Sequence, residues 1–340
     1  MAAGAKTRTP AVADAVGRLL ANRHLGWFAL AVALLAPFVT ATNYSLSVMT
    51  SALLFVMLAV GLNIVVGYCG LLDLGYAAFF AIGAYTSGIL ATRYDWPLLA
   101  TVPAVIVAAV IGGLVIGGPT LRLRSDYLAI VTLGFGEIIR ITAQNLDVTG
   151  GPSGIYGIPP ITIGPLELSD PAAFYYFCVV CVALAVLGSA RLGRSHLGRA
   201  WRFVREDEDA AEAMGINTYK VKLAAYVGGA IWGGLAGILF GAQLTAIAPQ
   251  SFTFLWSALI LMAVVLGGMG STPGVVIGAV FVSVLPELLR GAADYRYFVF
   301  GVLLIAVMIF RPQGVWPARA VERPPRRRRG ETDDVPEEVG

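Results

Sequence analysis

The sequence predicts an all-α integral membrane protein with about ten transmembrane helices, and three observations support this class. Apolar residues make up 57% of the 340 residues and charged residues only 13%, whereas a soluble domain carries about 25% charged residues. The mean hydropathy is +0.77. The apolar residues also fall into separate runs of roughly 20 residues, the length that an α-helix needs to cross a bilayer. An ordinary soluble domain is therefore excluded.

Ten apolar runs are long enough to cross a membrane. They lie at residues 25–42, 46–66, 71–92, 98–118, 127–144, 172–190, 221–247, 253–271, 273–290 and 295–311. The first run is too long for the apolar core of a signal peptide, so we interpret it as a membrane helix after a cytoplasmic N-terminal segment, residues 1–24. Together the runs predict a transmembrane domain over residues 25–311.

The basic residues predict that both termini are cytoplasmic. With ten spans, the cytoplasmic segments hold 20 of the 24 Lys and Arg residues, as the positive-inside rule requires. This placement accounts for the net charge of +3 without a nucleic-acid partner. The tail, residues 312–340, has too little apolar surface to fold and is predicted to be disordered and cytoplasmic.

One charged stretch, residues 191–222, interrupts the apolar runs and is here called the island. It carries seven Lys or Arg and five Asp or Glu, whereas the flanking stretches 172–190 and 223–247 carry none. Residues 198–214 contain no proline and favour a helix. Two interpretations are open: a cytoplasmic helix that docks another subunit, or a solvated helix whose arginines meet anionic membrane lipid.

Glycine is frequent in the spans, where most of it is predicted to let helices pack closely. Two glycine-rich runs, residues 67–85 and 266–279, also suit broken or re-entrant helices, which transporters use to present backbone dipoles to a substrate. They lie at corresponding places in the two halves of the chain, so an inverted repeat is an open expectation. The candidates for the translocation pathway come from these runs and from the fifth span: Gly75, Gly83, Thr132, Gly134, Glu137, Gly267 and Gly268.

Few ionisable groups fall inside the predicted spans. Asp73 lies near the cytoplasmic end of its span and is expected to reach water. Glu137 and Arg140 are three residues apart on one helix, so mutual pairing is favoured over lining a pathway. No Lys is expected in the interior of a span, since Lys222 stands at the very edge of the run 221–247, and His24 and His196 lie outside the spans. This argues against a histidine proton relay, and no cluster suits a metal ion or an enzyme active site.

Two further features of the sequence concern the energy source for transport and the external face of the protein. The sequence has no G-x-x-x-x-G-K-[ST] phosphate loop, so no cofactor is expected on this chain and any ATP would be bound by a separate subunit. The loop at residues 145–171 is placed outside by the charge count. It is expected either to receive an external protein or to cap the pore, with Gly150, Gly151 and Gly154 as candidates for external contact.

The island contains the motif Asp209-Ala210-Ala211-x-x-x-Gly215. It resembles the E-A-A-x-x-x-G cytoplasmic motif of bacterial ABC importer permeases, with Asp in place of Glu and without the I-x-L-P ending of the wider motif. Five longer stretches resemble the high-affinity branched-chain amino acid permeases of the LivM type. They are GLLDLGYAAFFAIGAYTSGIL (70–90), the stretches at 121–145 and 149–159, GRAWRFVREDEDAAEAMGIN (198–217) and the run at 247–279. The resemblance covers roughly residues 45–315.

The resemblance implies a subunit of an ABC importer in the bacterial inner membrane, and not an enzyme. Its partners would be a second, related permease, two cytoplasmic ATP-binding subunits that carry ATP and Mg²⁺, and an external substrate-binding protein. ATP binding would move the island as a coupling helix and reopen the spans on the other side. The candidate coupling residues are Arg205, Glu206, Asp209, Ala210, Ala211 and Gly215.

Substrate is the open point of the resemblance. Leucine, isoleucine and valine are the expected substrates, and another amino acid, urea or a short amide is the alternative within the same family. A secondary transporter or channel without an ATPase is the alternative outside it.

Overall fold

The structure is a computed structural model that describes residues 42–121, 125–163, 166–288, 298–299, 301–302, 305 and 314–316. Three predicted segments lie wholly or largely outside these ranges: the N-terminal segment 1–24, the first span 25–42 and the tail 312–340. Of the last predicted span, residues 295–311, five positions are described, and they are helical.

The longer elements of the described residues are helices. They are α1 (Asn43–Leu62), α2 (Ala77–Arg93), α3 (Val102–Thr120), α4 (Ser125–Asn145), α5 (Pro171–Arg194), α6 (His196–Glu206), α7 (Glu208–Ala213), α8 (Thr218–Leu244), α9 (Phe254–Gly267) and α10 (Thr272–Leu288). Short strands lie in the links between them: β1 (Ile155–Tyr156), β2 (Thr162–Ile163), β3 (Leu166–Glu167) and β4 (Ala246–Ile247).

Five helical segments of the described residues are long and apolar enough to cross a membrane. They are Asn43–Tyr68, Leu98–Thr120, Pro171–Arg194, Thr218–Leu244 and Pro249–Gly267. The chain is therefore an all-α membrane protein, as the sequence predicts. Because α2 and α10 have only 17 residues each and α4 carries a charged pair, the count of ten spans stays a prediction.

The helix α8 forms the centre of the bundle and packs on α1, α2 and α3. Its glycines bring backbones into direct contact. A Cβ on Gly237 would lie 2.5 Å from the Phe80 carbonyl oxygen, and one on Gly233 would lie 3.0 Å from Phe79 Cβ. Small residues of this kind allow helices to approach closely in lipid, where packing drives association. The structural interpretation of these glycines is confirmed.

Both glycine-rich runs are broken helices. The helix α1 continues as a π-helical turn over Asn63–Tyr68, and residues 69–76 are not helical. The helix α2 therefore begins at Ala77, six residues later than the span predicted from residue 71. In the second run, α9 ends at Gly267 and α10 begins at Thr272. Glycines with positive φ shape both links: Gly70, Gly268 and Gly270.

The links between helices gather at two ends of the bundle. At one end, β1 pairs with β4 in antiparallel register, with Ile155 opposite Ile247, and Arg93 Nη2 donates to the Asp147 carbonyl at 2.8 Å. At the other end lie the island and the two helix breaks. This grouping agrees with the predicted alternation of spans, while the side that each end faces stays a prediction.

Candidate functional site

The island folds as two short helices, so the helix predicted over residues 198–214 is divided. The division falls at Asp207, whose backbone is extended with φ −159° and ψ 110°. Asp207 Oδ1 accepts a hydrogen bond from Ala210 N at 3.0 Å and so caps α7. Aspartate is strongly preferred at this position because its side chain satisfies a free backbone N–H. The cap ends α6 where propensity alone allows it to continue.

Five of the six candidate coupling residues are exposed: Arg205, Glu206, Asp209, Ala210 and Gly215. The sixth, Ala211, is fully buried and packs α7 against the rest of the chain. Gly215 ends α7 with a φ of 81°, although no atom lies within 4 Å of the place that a Cβ would take. The left-handed backbone, and not a shortage of space, therefore favours glycine there.

Trp201 anchors the island to the bundle, and the sequence analysis did not single it out. The side chain is 2% exposed, and its Nε1 donates to the Val221 carbonyl at 2.8 Å. The ring lies nearly parallel to that of Tyr68, with centroids 6.4 Å apart. A tryptophan within a charged stretch was the available signal, because so large an apolar ring is usually buried against a partner.

Two cations of the island connect its short helices to the long helices of the bundle. Arg205 Nη1 donates to the Gly67 carbonyl, which lies in the π-helical turn after α1. Lys222 Nζ pairs with Glu208. Because α8 begins at Thr218, Lys222 lies inside a helix of spanning length, which corrects the prediction that no lysine does. Its pairing keeps a largely buried charge from being uncompensated.

The two helix breaks meet beside the island. Asn63 Oδ1 accepts a hydrogen bond from Gly270 N at 2.9 Å, and the hydroxyl groups of Tyr68 and Thr272 are 2.7 Å apart. A Cβ on Gly67 would lie 2.6 Å from Gly270 N. The sequence runs 67–85 and 266–279 are therefore in direct contact, which their separation in the chain did not reveal.

Asp73 does not reach water in this chain, so its predicted exposure was wrong. The residue is 0% exposed, and its Oδ1 accepts a hydrogen bond from Gly75 N at 2.8 Å. The non-helical link turns the carboxylate inward, where the hydroxyl groups of Thr132 and Tyr226 are its side-chain neighbours. Asp73 therefore fixes the turn that leads into α2.

Most of the pathway candidates are packing positions in this chain. Those that are buried are Gly75, Gly83, Thr132, Gly267 and Gly268. The glycines Gly75, Gly83 and Gly267 each face the backbone of another segment so closely that a Cβ would overlap it. The structure does not bring these five residues to one open cavity. The remaining two, Gly134 and Glu137, lie on the open side of α4.

The open side of α4 combines apolar residues with a charged pair. Arg140 Nε donates to Glu137 Oε1 at 2.9 Å and to Oε2 at 3.0 Å, so the predicted pairing is confirmed. The side chains of Glu137 and Arg140 are 42% and 20% exposed. One turn away, nothing lies within 4 Å of a Cβ on Gly134. A half-exposed ion pair on a helix among membrane spans is unsuited to lipid, because each charge costs about 2.5–3.5 kcal/mol at the bilayer centre.

The external-loop glycines shape the backbone at the opposite end of the bundle. Gly150, Gly151 and Gly154 have φ values of 80°, 59° and 82°, and Gly154 N donates to the Gly150 carbonyl at 3.2 Å. A Cβ on Gly154 would lie 2.8 Å from Ala248 Cα. The described part of the loop 145–171 is thereby fixed to the link between α8 and α9 as an ordered cap on this end of the bundle.

Among the residues that the structure describes, no group of three or more His, Cys, Asp or Glu side chains is arranged to hold a metal ion.

Comparison with known proteins identifies what this architecture serves. Residues 44–308 match the family described as "Branched-chain amino acid transport system / permease component". The chain belongs to this family. It is therefore a transport permease subunit, and the family is one of transport components and not of enzymes.

Relatives of this permease carry the same description. The high-affinity branched-chain amino acid transport system permease proteins LivM of Salmonella typhimurium and of Escherichia coli K12 are each 40% identical to it over 312 residues. These alignments cover 85% of this chain and 73% of each relative. The permease protein LivH of Escherichia coli K12 is 26% identical over 288 residues, which is 79% of this chain and 93% of that relative. No solved structure matches the chain.

Proposed function

We propose that this permease is one of two membrane-spanning subunits of an ATP-driven importer for leucine, isoleucine and valine in the bacterial inner membrane. The observation that carries the proposal is its 40% identity, over most of its length, to relatives named as high-affinity branched-chain amino acid permeases. The second subunit would be a related permease, and the chain also has 26% identity to proteins named LivH, which fits a pair of homologous subunits.

The island is the proposed contact with one of two cytoplasmic ATP-binding subunits, which would carry ATP and Mg²⁺. Its surface joins exposed charges to three exposed apolar side chains, Leu197, Phe203 and Met214. Surfaces that mix charges with large apolar side chains suit protein partners better than water alone. Anchoring through Trp201 supports the same role, because an element that transmits force has to be attached firmly to the bundle.

The proposed topology has ten spans with both termini in the cytoplasm. In that topology the end with the island and the helix breaks is cytoplasmic, and the loop 145–171 faces an external substrate-binding protein. The gathering of these segments at opposite ends of the bundle supports it. An inverted repeat of five spans would follow from the same count, and contact between the breaks at 67–85 and 266–279 is compatible with it.

The open side of α4 is the proposed wall of the translocation pathway. Glu137, Arg140 and the space beside Gly134 face away from the packed core. In the assembled transporter this surface would meet the pathway and the second permease. Apolar side chains such as Ile130 and Ile141, which are exposed on the same side, suit an aliphatic substrate.

The experiment that tests the proposal is uptake of radiolabelled leucine in bacterial cells that lack their own branched-chain uptake and express the complete transporter. We expect uptake that competes with isoleucine and valine, stops on ATP depletion and withstands an ionophore that collapses ion gradients. Competition by urea or acetamide, with none by isoleucine, would contradict branched-chain amino acids as the substrates and indicate urea or a short amide. Uptake that persists after ATP depletion but stops with the ionophore would contradict an ABC importer and indicate a secondary transporter.

A further inference from the structure

The link between α1 and α2, residues 67–76, touches the island at one end and α4 at the other, and is here called the strap. We infer that the strap transmits the movement of α6 to α4, so that the position of the island sets the position of the open side of α4. The inference rests on the proposed function, in which the island contacts an ATP-binding subunit.

The first end of the strap is held by α6. Arg205 Nη1 donates to the Gly67 carbonyl, and the Arg205 side chain lies along Gly70, where a Cβ would come within 2.7 Å of Arg205 Cγ. Tyr68 stacks on Trp201. Two side chains of α6, one turn apart, therefore hold three residues of the strap. Movement of α6 in any direction changes at least one of these contacts.

The second end of the strap is held by α4. Leu74 N donates to Thr132 Oγ1 at 3.1 Å, and Gly75 packs so closely on the Thr132 carbonyl that no Cβ fits between them. Gly136 faces Gly75 on the next turn of α4, where a Cβ would lie 3.3 Å from Gly75 Cα. Thr132 precedes Glu137 by five residues, which is about 7.5 Å along the helix axis.

The strap itself is held in one conformation along its length. Leu71 N donates to the Val65 carbonyl at 3.1 Å, and Asp73 Oδ1 accepts from Gly75 N. Tyr76 is fully buried, and its hydroxyl donates to the Gly229 carbonyl at 2.8 Å. Gly70 and Leu72 are exposed, but these bonds and the buried residues beside them tie the strap to its neighbours. We therefore expect it to shift as a unit, because packed interiors do not deform continuously.

The strap contacts both α6 and α4, whereas the long helices next to the island are not the main neighbours of α4. The helices on either side of the island are α5 and α8, whereas the main packing partners of α4 are α2, the 3-10 helix Pro249–Phe252 and α3. The strap joins α6 to α4 within ten residues, through Arg205 at one end and Thr132 at the other. Thr132 is accordingly a positioning residue, which acts on the open side of α4 through the helix that carries it.

The test uses the complete transporter, purified with its partner subunits, with one environment-sensitive fluorescent amino acid incorporated at a time. One position is Met214 on the island, which is 77% exposed, and the other is Ile138 on the open side of α4, which is 58% exposed. ATP is expected to change the emission at both positions. In Thr132→Val, which removes the acceptor for Leu74 N, the change at Met214 persists and that at Ile138 falls by about tenfold.

Two further variants separate transmission from folding. Thr132→Ser keeps the acceptor oxygen and is expected to restore the response at Ile138. Thr120→Val removes another buried threonine hydroxyl, which donates to Ile116 O within α3 and has no contact with the strap, and is expected to leave both responses intact. Equal responses at Ile138 in Thr132→Val and in the unaltered complex would contradict transmission through the strap. They would leave the proposed contact of the island with an ATP-binding subunit standing. Absence of an ATP response at Met214 in the unaltered complex would overturn the proposed contact of the island, and the strap with it.

Discussion

Two helices of this permease, α8 and α4, show opposite uses of a membrane helix. The surface of α8 is largely closed by neighbours: Gly233 and Gly237 bring it against α2, and the buried one of its two lysines, Lys222, is paired with Glu208 on α7. The helix α4 is packed on one side only. On its other side Glu137 and Arg140 pair with each other, next to the open space at Gly134.

The difference between α8 and α4 indicates that one helix mainly stabilises the fold, while the other keeps a surface available for transport. Where glycine meets backbone, the helix holds the subunit together, and where glycine meets open space, the surface is left for something outside the chain. Glycine content alone does not separate the two, because both helices contain it. The four predictions below break or sharpen this contrast: three concern stability, from the largest expected effect to the smallest, and the last concerns transport.

The largest effect is expected from valine at a closed glycine. Gly237→Val places a branched side chain on the backbone of Phe80 and Ala84, and overpacking of this kind costs about 1–3 kcal/mol or more. We expect loss of most monodisperse protein in size-exclusion chromatography and a lower thermal unfolding midpoint. The matched variant, Gly134→Val on α4, meets no atom and should stay within about 0.5 kcal/mol of the unaltered protein. Equal yields for the two variants would contradict the assignment of α8 as the core helix.

A smaller effect is expected when the pair between the island and α8 is broken. Glu208→Ala leaves Lys222, whose side chain is 9% exposed, without its partner, and an unsatisfied buried group costs about 1–3 kcal/mol. Thermal unfolding in mild detergent measures the loss. The double variant Glu208→Ala with Lys222→Met should recover most of it, since neither partner is then left unpaired. A double variant as unstable as the single one would show that the pair is not the cause.

The pair on α4 is expected to matter less for stability. Glu137→Ala leaves Arg140 with access to solvent, and exposed pairs contribute about 0.2–1 kcal/mol. The unfolding midpoint should therefore move less than in Glu208→Ala. A drop in the unfolding midpoint as large as that of Glu208→Ala would indicate that Glu137 and Arg140 stabilise the core. The contrast between α4 and α8 would then not hold.

The same variant is expected to act on transport. If the open side of α4 lines the pathway, Glu137→Ala lowers leucine uptake by about tenfold, which corresponds to about 1.4 kcal/mol in the barrier. Asp95→Asn, at an exposed position of the link between α2 and α3, is the control and should leave uptake unchanged. Normal uptake in Glu137→Ala would exclude the pair from the pathway.

The sequence predicts the class of fold and the island because both depend on composition. Apolar runs and the positive-inside rule mark the membrane helices, and the island is visible as charge between two uncharged stretches. The pairing of Glu137 with Arg140 was also predictable, since it depends only on spacing along one helix. Family membership was predicted from local motifs such as Asp209-Ala210-Ala211-x-x-x-Gly215, and the family match over residues 44–308 confirms it.

The sequence did not predict the features that depend on contacts between distant segments. Asp73 turns inward because α4 and α8 surround its link, and the helix α2 begins late because residues 69–76 bond to other segments instead of continuing the helix. Gly83 was a pathway candidate by composition, but its backbone faces Gly234. Trp201 meets Tyr68 across 133 positions of the chain, a pairing that no local pattern contains.

The most direct test of the central claim is purification of this permease from mild detergent, with mass spectrometry of the proteins that accompany it. The account predicts that ATP-binding subunits copurify, that the double variant Asp209→Lys with Gly215→Ala loses them, and that Glu167→Lys at the opposite end of the bundle keeps them. Because Gly215 has a left-handed backbone, the glycine replacement distorts the end of α7 while the bundle stays folded. A folded permease that transports leucine without any ATP-binding subunit, or one whose subunits remain bound in the double variant, would contradict it.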